Sequence, residues 1–416
     1  MLSGGGSRAH THADWLPALA SLAEHLDERL SVDPARRVVF FDELPWLASR
    51  KSKFLMAFGW FWNSWAASRR VVVVTCGSAA SWMIGSDRMG QGPRSGARAK
   101  GSLHNRITHR IALYPFTLAE TEAFLHGAGV SLDRYQIVLL YMAVGGVPFY
   151  LEQVRAGESA AQAIDRLLFR PSGPLRGEFD VLYAALFDNA AAHTAIVRAL
   201  AANAGGLTRT EVLAKAGLPT GGTSTRYLEE LVLSGFVAAS PPFAGKKRNL
   251  LYRLIDEYSA FYLKFVEGTV GVGPGHFLQV SATPSYRSWA GLVFDRLAIR
   301  HVGELKSALG IAAVYTHVAS YVARGNDERP GVQIDLLLDR ADRAISLVEA
   351  KFYDDEYAVT KAYAEELRRK RTRFRTYTGT KKQLFWVLLT PFGLRQSRHS
   401  TGLVDTDLTL EALFGD

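Results

Sequence analysis

Residues 332–352, VQIDLLLDRADRAISLVEAKF, decide how the C-terminal part of this chain is read. The stretch reads as a β-hairpin, with a strand over 332–338, a turn DRADR and a second strand over 344–352. Asp335 stands near the middle of the first strand. Glu349 and Lys351 lie two apart on the second, where a two-residue period sets them on one face. Two acids and a lysine on otherwise apolar strands are costly to bury unless they pair or bind a metal. The bland alternative is a solvated ion-pair cluster on a hairpin, since the bare spacing recurs by chance.

Working outward, SWAGLVFDRLAIRHV upstream reads as a helix that offers Asp295. Downstream, DDEYAVTKAYAEELRRKRTRF reads as a basic helix, followed by a core strand, LFWVLLT. That helix belongs to a positive stripe with Arg368, Arg369 and Lys370 at its centre. A phosphodiester substrate requires such cations, because paired acids alone would repel it. Asp354, Asp355 and Glu356 read as surface charge at a helix start rather than as ligands.

The Asp-x13-Glu-x-Lys pattern, with its upstream helix and downstream basic helix, resembles the PD-(D/E)XK nuclease superfamily. The resemblance implies a divalent metal, Mg²⁺ or Mn²⁺, held by Asp335 and Glu349. It implies that Lys351 stabilises the attacking hydroxide or the developing phosphorane charge. The helical acid of that superfamily is usually Glu; here the position holds the shorter Asp295.

Near the other end, VVFFDELPWL (38–47) reads as a parallel strand covered on both faces that ends in two acids and breaks at a proline. VVVVTCGS (71–78) reads as its neighbour, ending in small hydroxyl residues suited to sensing a phosphate. An Asp at such a strand end can hold Mg²⁺ and an adjacent Glu can orient water; the alternative is a solvated Asp-Glu turn. With LHNRITHRIALYPFTLAET (103–121) and YMAVGGVPFYLEQV (141–154), these pieces resemble the AAA-type ATPases of the signalling-NTPase branch of prokaryotes. That resemblance implies Asp42 in the Mg²⁺ ligand shell, Glu43 positioning water, Ser78 in the sensor strand, Arg106 or Arg110 touching phosphate, and Pro148 against adenine. The G-x-x-x-x-G-K-[ST] loop that cradles phosphates is missing from the sequence, so the implied cofactor, ATP, has no phosphate loop to hold it. The chain reads as if it begins after that loop, through a truncated reading frame or as a degenerate family member.

Between these regions, helical stretches over His193–Ala202, LTRTEVLAKAG and TSTRYLEELVLSGFV precede a strand, a basic loop PPFAGKKRN and a returning strand. Thr208 suits an N-cap, and Gly217 and Gly235 suit stops. The order resembles a winged helix-turn-helix, which implies DNA contact through Arg226, Lys246, Lys247 and Arg248. The alternative is a packing or protein-contact module.

The expected architecture is therefore multi-domain α/β and α. It comprises a truncated P-loop NTPase sheet (1–117), a helical lid (118–178), a winged helix (179–266) and a restriction-endonuclease-like α/β domain (267–416). Length and composition agree: 416 residues with 48% hydrophobic content supply several cores. A single cysteine, Cys76, excludes a disulfide framework. The histidines lack paired metal spacing, so zinc is not expected. The aromatic run FGWFWNSWAAS reads as packing rather than base stacking. No secretory signal and no apolar run near the roughly 20 residues of a membrane span appear, so the expected place is the cytoplasm and no membrane partner is expected. A formal charge of +9 points weakly to nucleic acid. DNA is the expected partner, with a protein partner or self-association beside it. The expected activities are ATP hydrolysis, by family resemblance, and Mg²⁺-dependent DNA cleavage. The alternative is a non-catalytic nucleic-acid-binding or regulatory relative with both sites inactive.

Overall fold

The computed structural model of the chain describes residues 12–48, 51–77, 106–203, 205–240, 243, 250–323, 325 and 330–415. It forms two compact units, Met1–Leu113 and Tyr114–Asp416.

In the first unit, helices Trp15–Val32 and Phe54–Ser64 pack against strands β1 (Arg37–Phe41) and β2 (Val71–Thr75). The strands pair in parallel from Arg37–Val71 to Phe41–Thr75. Phe41 meets the rings of Phe54, Phe58 and Phe61 edge-on, so the aromatic run is core packing. Coverage on both faces was expected, but among the described residues only one face is covered. Phe41, Val71 and Val73 face the helices, whereas Val38 and Phe40 are 66% and 59% exposed. Nor does Pro45 simply break the chain; it sits in the first turn of a short helix, Leu44–Leu47, where its missing N–H has no partner to lose.

The second unit begins with helices Leu118–Gly127 and Arg134–Val144. The first is opened by a capping box in which Thr117 and Glu120 satisfy each other's backbone N–H groups. After helices Glu178–Leu186 and Ala190–Ala201 come β3 (Leu207–Thr208), helices Arg209–Lys215 and Gly222–Leu233, and strands β4 (Val237–Ser240) and β5 (Leu251–Leu254). These strands form an antiparallel sheet in the order β3-β5-β4. Thr208 caps the Arg209–Lys215 helix, and Gly217 just past it takes a left-handed φ of 67°, which glycine adopts without strain.

Helices Glu257–Phe261 and Pro284–Arg300 then lead into the largest sheet. Its members are β6 (Thr316–Ala323), β7 (Val332–Arg340), β8 (Ala344–Ala350), β10 (Gln383–Leu389) and β12 (Thr406–Leu408); β9 (Tyr357–Ala358) and β11 (Leu394–Arg395) pair separately. The order is β12-β10-β8-β7-β6, with β8, β10 and β12 parallel and β6, β7 and β8 antiparallel. The hairpin forms, but its second strand stops at Ala350, two residues before the expected end. On one face Leu336, Leu338, Val348 and Leu389 join the core that holds Phe294 and Leu297 of helix Pro284–Arg300. On the other, Leu337, Leu347 and Trp386 pack with Leu367 and Phe374 of helix Lys361–Thr378. The first of these cores is continuous from Leu118 to Phe414.

One irregularity positions a side chain. Ala319 pairs with Leu337, and the next pair is Tyr321 with Ile334. Ser320 alone therefore faces two residues, Asp335 and Leu336, which is a β-bulge. The alternation changes phase there: Val332 and Ile334 face the Lys361–Thr378 helix, whereas Leu336 and Leu338 face the opposite core.

Candidate active site

The β7–β8 pairing runs from Asp339–Ile345 to Leu336–Val348, so Asp335 and Glu349 stand at the next step of the register. Glu349 is 5% exposed and sits between Val348 and Ala350, which face the other way, so its carboxylate turns toward helix Lys361–Thr378. There Lys370 Nζ donates to Oε1 at 2.7 Å and the Tyr363 hydroxyl donates to Oε2 at 3.2 Å. Lys351, just past β8, brings Nζ to 3.6 Å from Glu349 Oε2 and lies 5.2 Å from the centre of the Tyr363 ring. Burial works to lower the Lys370 pKa, but the Glu349 charge outweighs it and the pKa ends above the usual lysine value. Burial, reinforced by Glu349, pushes the Tyr363 phenol far up, so it stays a hydrogen-bond donor.

Asp335, at the bulge, is half-buried and accepts a hydrogen bond from Gln333 Nε2 at 2.7 Å. Asp295 approaches from the opposite side on helix Pro284–Arg300 and accepts a hydrogen bond from the Ala350 N–H. Burial pushes its pKa up to about 8. The negative charge of Asp335, and less that of Glu349, adds to the rise, while Lys351 opposes it. Asp335, Glu349 and Lys351 are thus within electrostatic reach of Asp295.

Asp335 and Glu349 carry the carboxylate oxygens that a hard divalent cation takes as ligands, while burial, with the Asp335 charge added, accounts for the raised Asp295 pKa. Among the described residues, no group of three or more His, Cys, Asp or Glu side chains gathers closely enough to enclose a metal.

Of the residues assigned to nucleic acid, Arg368 and Arg369 are exposed on the helix. Lys370, grouped with them in the sequence, is turned inward onto Glu349. Heptad spacing would have placed it there: Tyr363, Leu367, Lys370 and Phe374 share one helix face. Arg226 is exposed on helix Gly222–Leu233, 3.5 Å from Glu230. Lys246, Lys247 and Arg248 lie outside the described residues. Two residues that sequence reasoning missed, Arg253 on β5 and Arg296 beside Asp295, bring positive charge to Asp335. No periodicity in the chain marks Arg253, because its neighbours come from a distant sheet.

In the first unit, Asp42 Oδ1 accepts hydrogen bonds from the Cys76 thiol and the Glu43 N–H. The bond to Asp42 pushes the Cys76 thiol pKa up. Glu43 takes a left-handed φ of 46°, a strained corner for a side-chain-bearing residue. Arg106 Nε donates to Asn63 Oδ1 at 3.1 Å. Ser78 lies outside the described residues. Pro148 opens a short helix, Pro148–Leu151, in the second unit and is exposed there.

Among the described residues, no helix is long and apolar enough to cross a membrane. No protein-family model matches the chain, and no curated protein matches it. Among solved structures the chain is similar to a Walker-type ATPase of Pyrococcus abyssi, at 18% identity over 60% of this chain and 67% of that one, with a TM-score of 0.40.

Proposed function

We propose that the Tyr114–Asp416 unit hydrolyses phosphodiester bonds of DNA as a nuclease of the PD-(D/E)XK type. In this reading Asp335 and Glu349 are the ligands of Mg²⁺ or Mn²⁺, Lys351 stabilises charge and Asp295 is the helical acid. One observation supports it: the charges of Asp335, Glu349 and Lys351 all act on Asp295, and Lys351 Nζ lies 3.6 Å from Glu349 Oε2. The mixed sheet, flanked by one helix on each face, supports a nuclease-like core.

A divalent ion, held by Asp335 and Glu349, would supply an activated water and neutralise charge on the phosphate. The chain's own residues do the rest. The Tyr363 hydroxyl holds Glu349 in place, and the same ring borders the Lys351 ammonium. In this reading that ammonium would meet negative charge developing on a pentavalent phosphate. Exposed Arg368 and Arg369 attract the polyanion. The segment from Ala190 to Leu254, with three helices and a three-stranded sheet, fits a winged helix, with Arg226 on the exposed side of its third helix. The Asp42–Glu43 corner is read as an ATPase-derived strand end.

A second reading, a non-catalytic nucleic-acid-binding relative, is favoured by the Lys370–Glu349 pair at 2.7 Å, which already neutralises one ligand. A cleavage assay on DNA with and without Mg²⁺ separates the two. We expect Lys351→Ala to slow metal-dependent cleavage by about 100-fold or more, comparable to removing one donor to a developing oxyanion. Equal rates for wild type and variant would retire the nuclease.

A further inference from the structure

Two arginines stand beside the acid cluster with no carboxylate within ion-pair distance among the described residues. Arg253 extends from β5, and its Nη2 donates to Ser320 Oγ at 3.1 Å. Ser320 is buried and is the β6 residue opposite the Asp335–Leu336 bulge, so the guanidinium is anchored at the strand crossing where Asp335 departs from the regular ladder. The stem is packed against Gly206, where an added Cβ would come within 2.9 Å of Arg253 Cγ. Arg296 follows Asp295 on its helix and donates from Nη1 to the Leu254 carbonyl at 3.2 Å, one residue beyond Arg253. Burial lowers both guanidinium pKas, and the Asp335 charge opposes it in each case.

Partial burial of a guanidinium is costly without a matched acceptor, and arginine offers five N–H donors in a planar fork. Here each arginine donates to a single neutral oxygen. Lys351 and Lys370, by contrast, are both engaged by Glu349. Among the described residues, the two arginines near Asp335 are instead held by neutral oxygens alone. Their fork suits the non-bridging oxygens of a phosphate.

We propose that Arg253 and Arg296 form a phosphate clamp for the substrate, so that the β3-β5-β4 module contributes a wall of the active site. This rests on the phosphodiesterase reading above. The test is fluorescence anisotropy of the full chain with a short labelled oligodeoxynucleotide, in Ca²⁺ to hold back turnover, across a salt series. Arg253→Gln should weaken binding by about tenfold and lower the log–log salt slope by about 1, while Arg253→Lys recovers part of the affinity. A single methylphosphonate linkage, scanned along the probe, should at one position cost wild type the same factor and cost Arg253→Gln nothing. If wild type binds and Arg253→Gln binds equally well with the same slope, the clamp is wrong and the nuclease reading survives. If wild type binds no oligonucleotide, both fall. Should Arg253→Gln lower the thermal midpoint, Arg296→Gln is read by the same criteria.

Discussion

Glu257 shows how one buried side chain can tie stability to pH. It is 7% exposed, and its Oε2 accepts a hydrogen bond from Arg300 Nη1 at 3.1 Å; the same nitrogen donates to the Tyr141 hydroxyl at 3.0 Å. Burial pushes its pKa from 4.5 up to about 7; Asp256 next to it adds to the rise and Arg300 opposes it. The folded state therefore binds more protons than the unfolded chain between those two values. The contribution of this group is fully present below pH 4.5, falls as pH rises toward 7, and is level above that. Its full range is about 3 kcal/mol. Glu257→Gln removes the titration, so the thermal midpoint of the variant relative to wild type should climb from acid to weakly alkaline buffer. A pH-independent difference would mean that folding leaves the Glu257 pKa unshifted. At this scale the sequence was readable where chemistry is local. Asp335, Glu349 and Lys351 stand out because charges on apolar strands are conspicuous, but no local signal names Arg253.

Between elements, close backbone approaches decide more than side-chain type. The Gly145–Gly146 turn brings Phe116 against the end of helix Arg134–Val144: the Phe116 N–H donates to the Gly146 carbonyl at 2.7 Å, and the Tyr141 hydroxyl donates to the Phe116 carbonyl at 2.7 Å. A Cβ at Gly146 would lie 2.1 Å from that carbonyl oxygen. Gly146→Ala should cost about 1–3 kcal/mol, as overpacking does, seen as a lower denaturant midpoint with an unchanged slope. A midpoint like that of wild type would mean the turn relaxes freely. Helix limits were legible in Thr208, Gly217 and Gly235 because caps and stops act within a turn of chain. The bulge at Asp335 was not, because it exists only relative to the partner strand. The open face of β1 and β2 escaped for a related reason: an apolar run shows that a strand can be buried, not what lies over it.

Across the whole molecule, net charge matters less than which cations stay exposed. The chain carries +9, yet Lys370 is withdrawn into the acid cluster, leaving Arg368 and Arg369 outside. The double variant Arg368→Ala, Arg369→Ala should lower the salt slope of oligonucleotide binding by about 2 and weaken binding uniformly across sequences. An unchanged slope would place the DNA path elsewhere.

The amino-acid sequence alone determined the hairpin, the basic helix, the caps and the acids at strand ends, because periodicity and turn chemistry act over a few residues. Tertiary structure alone decided that Lys370 meets Glu349, that Asp335 sits on a bulge opposite Ser320, and that an arginine from another sheet reaches the same corner. Period tells which face a side chain takes, whereas partner and register across elements are settled only when distant surfaces pack.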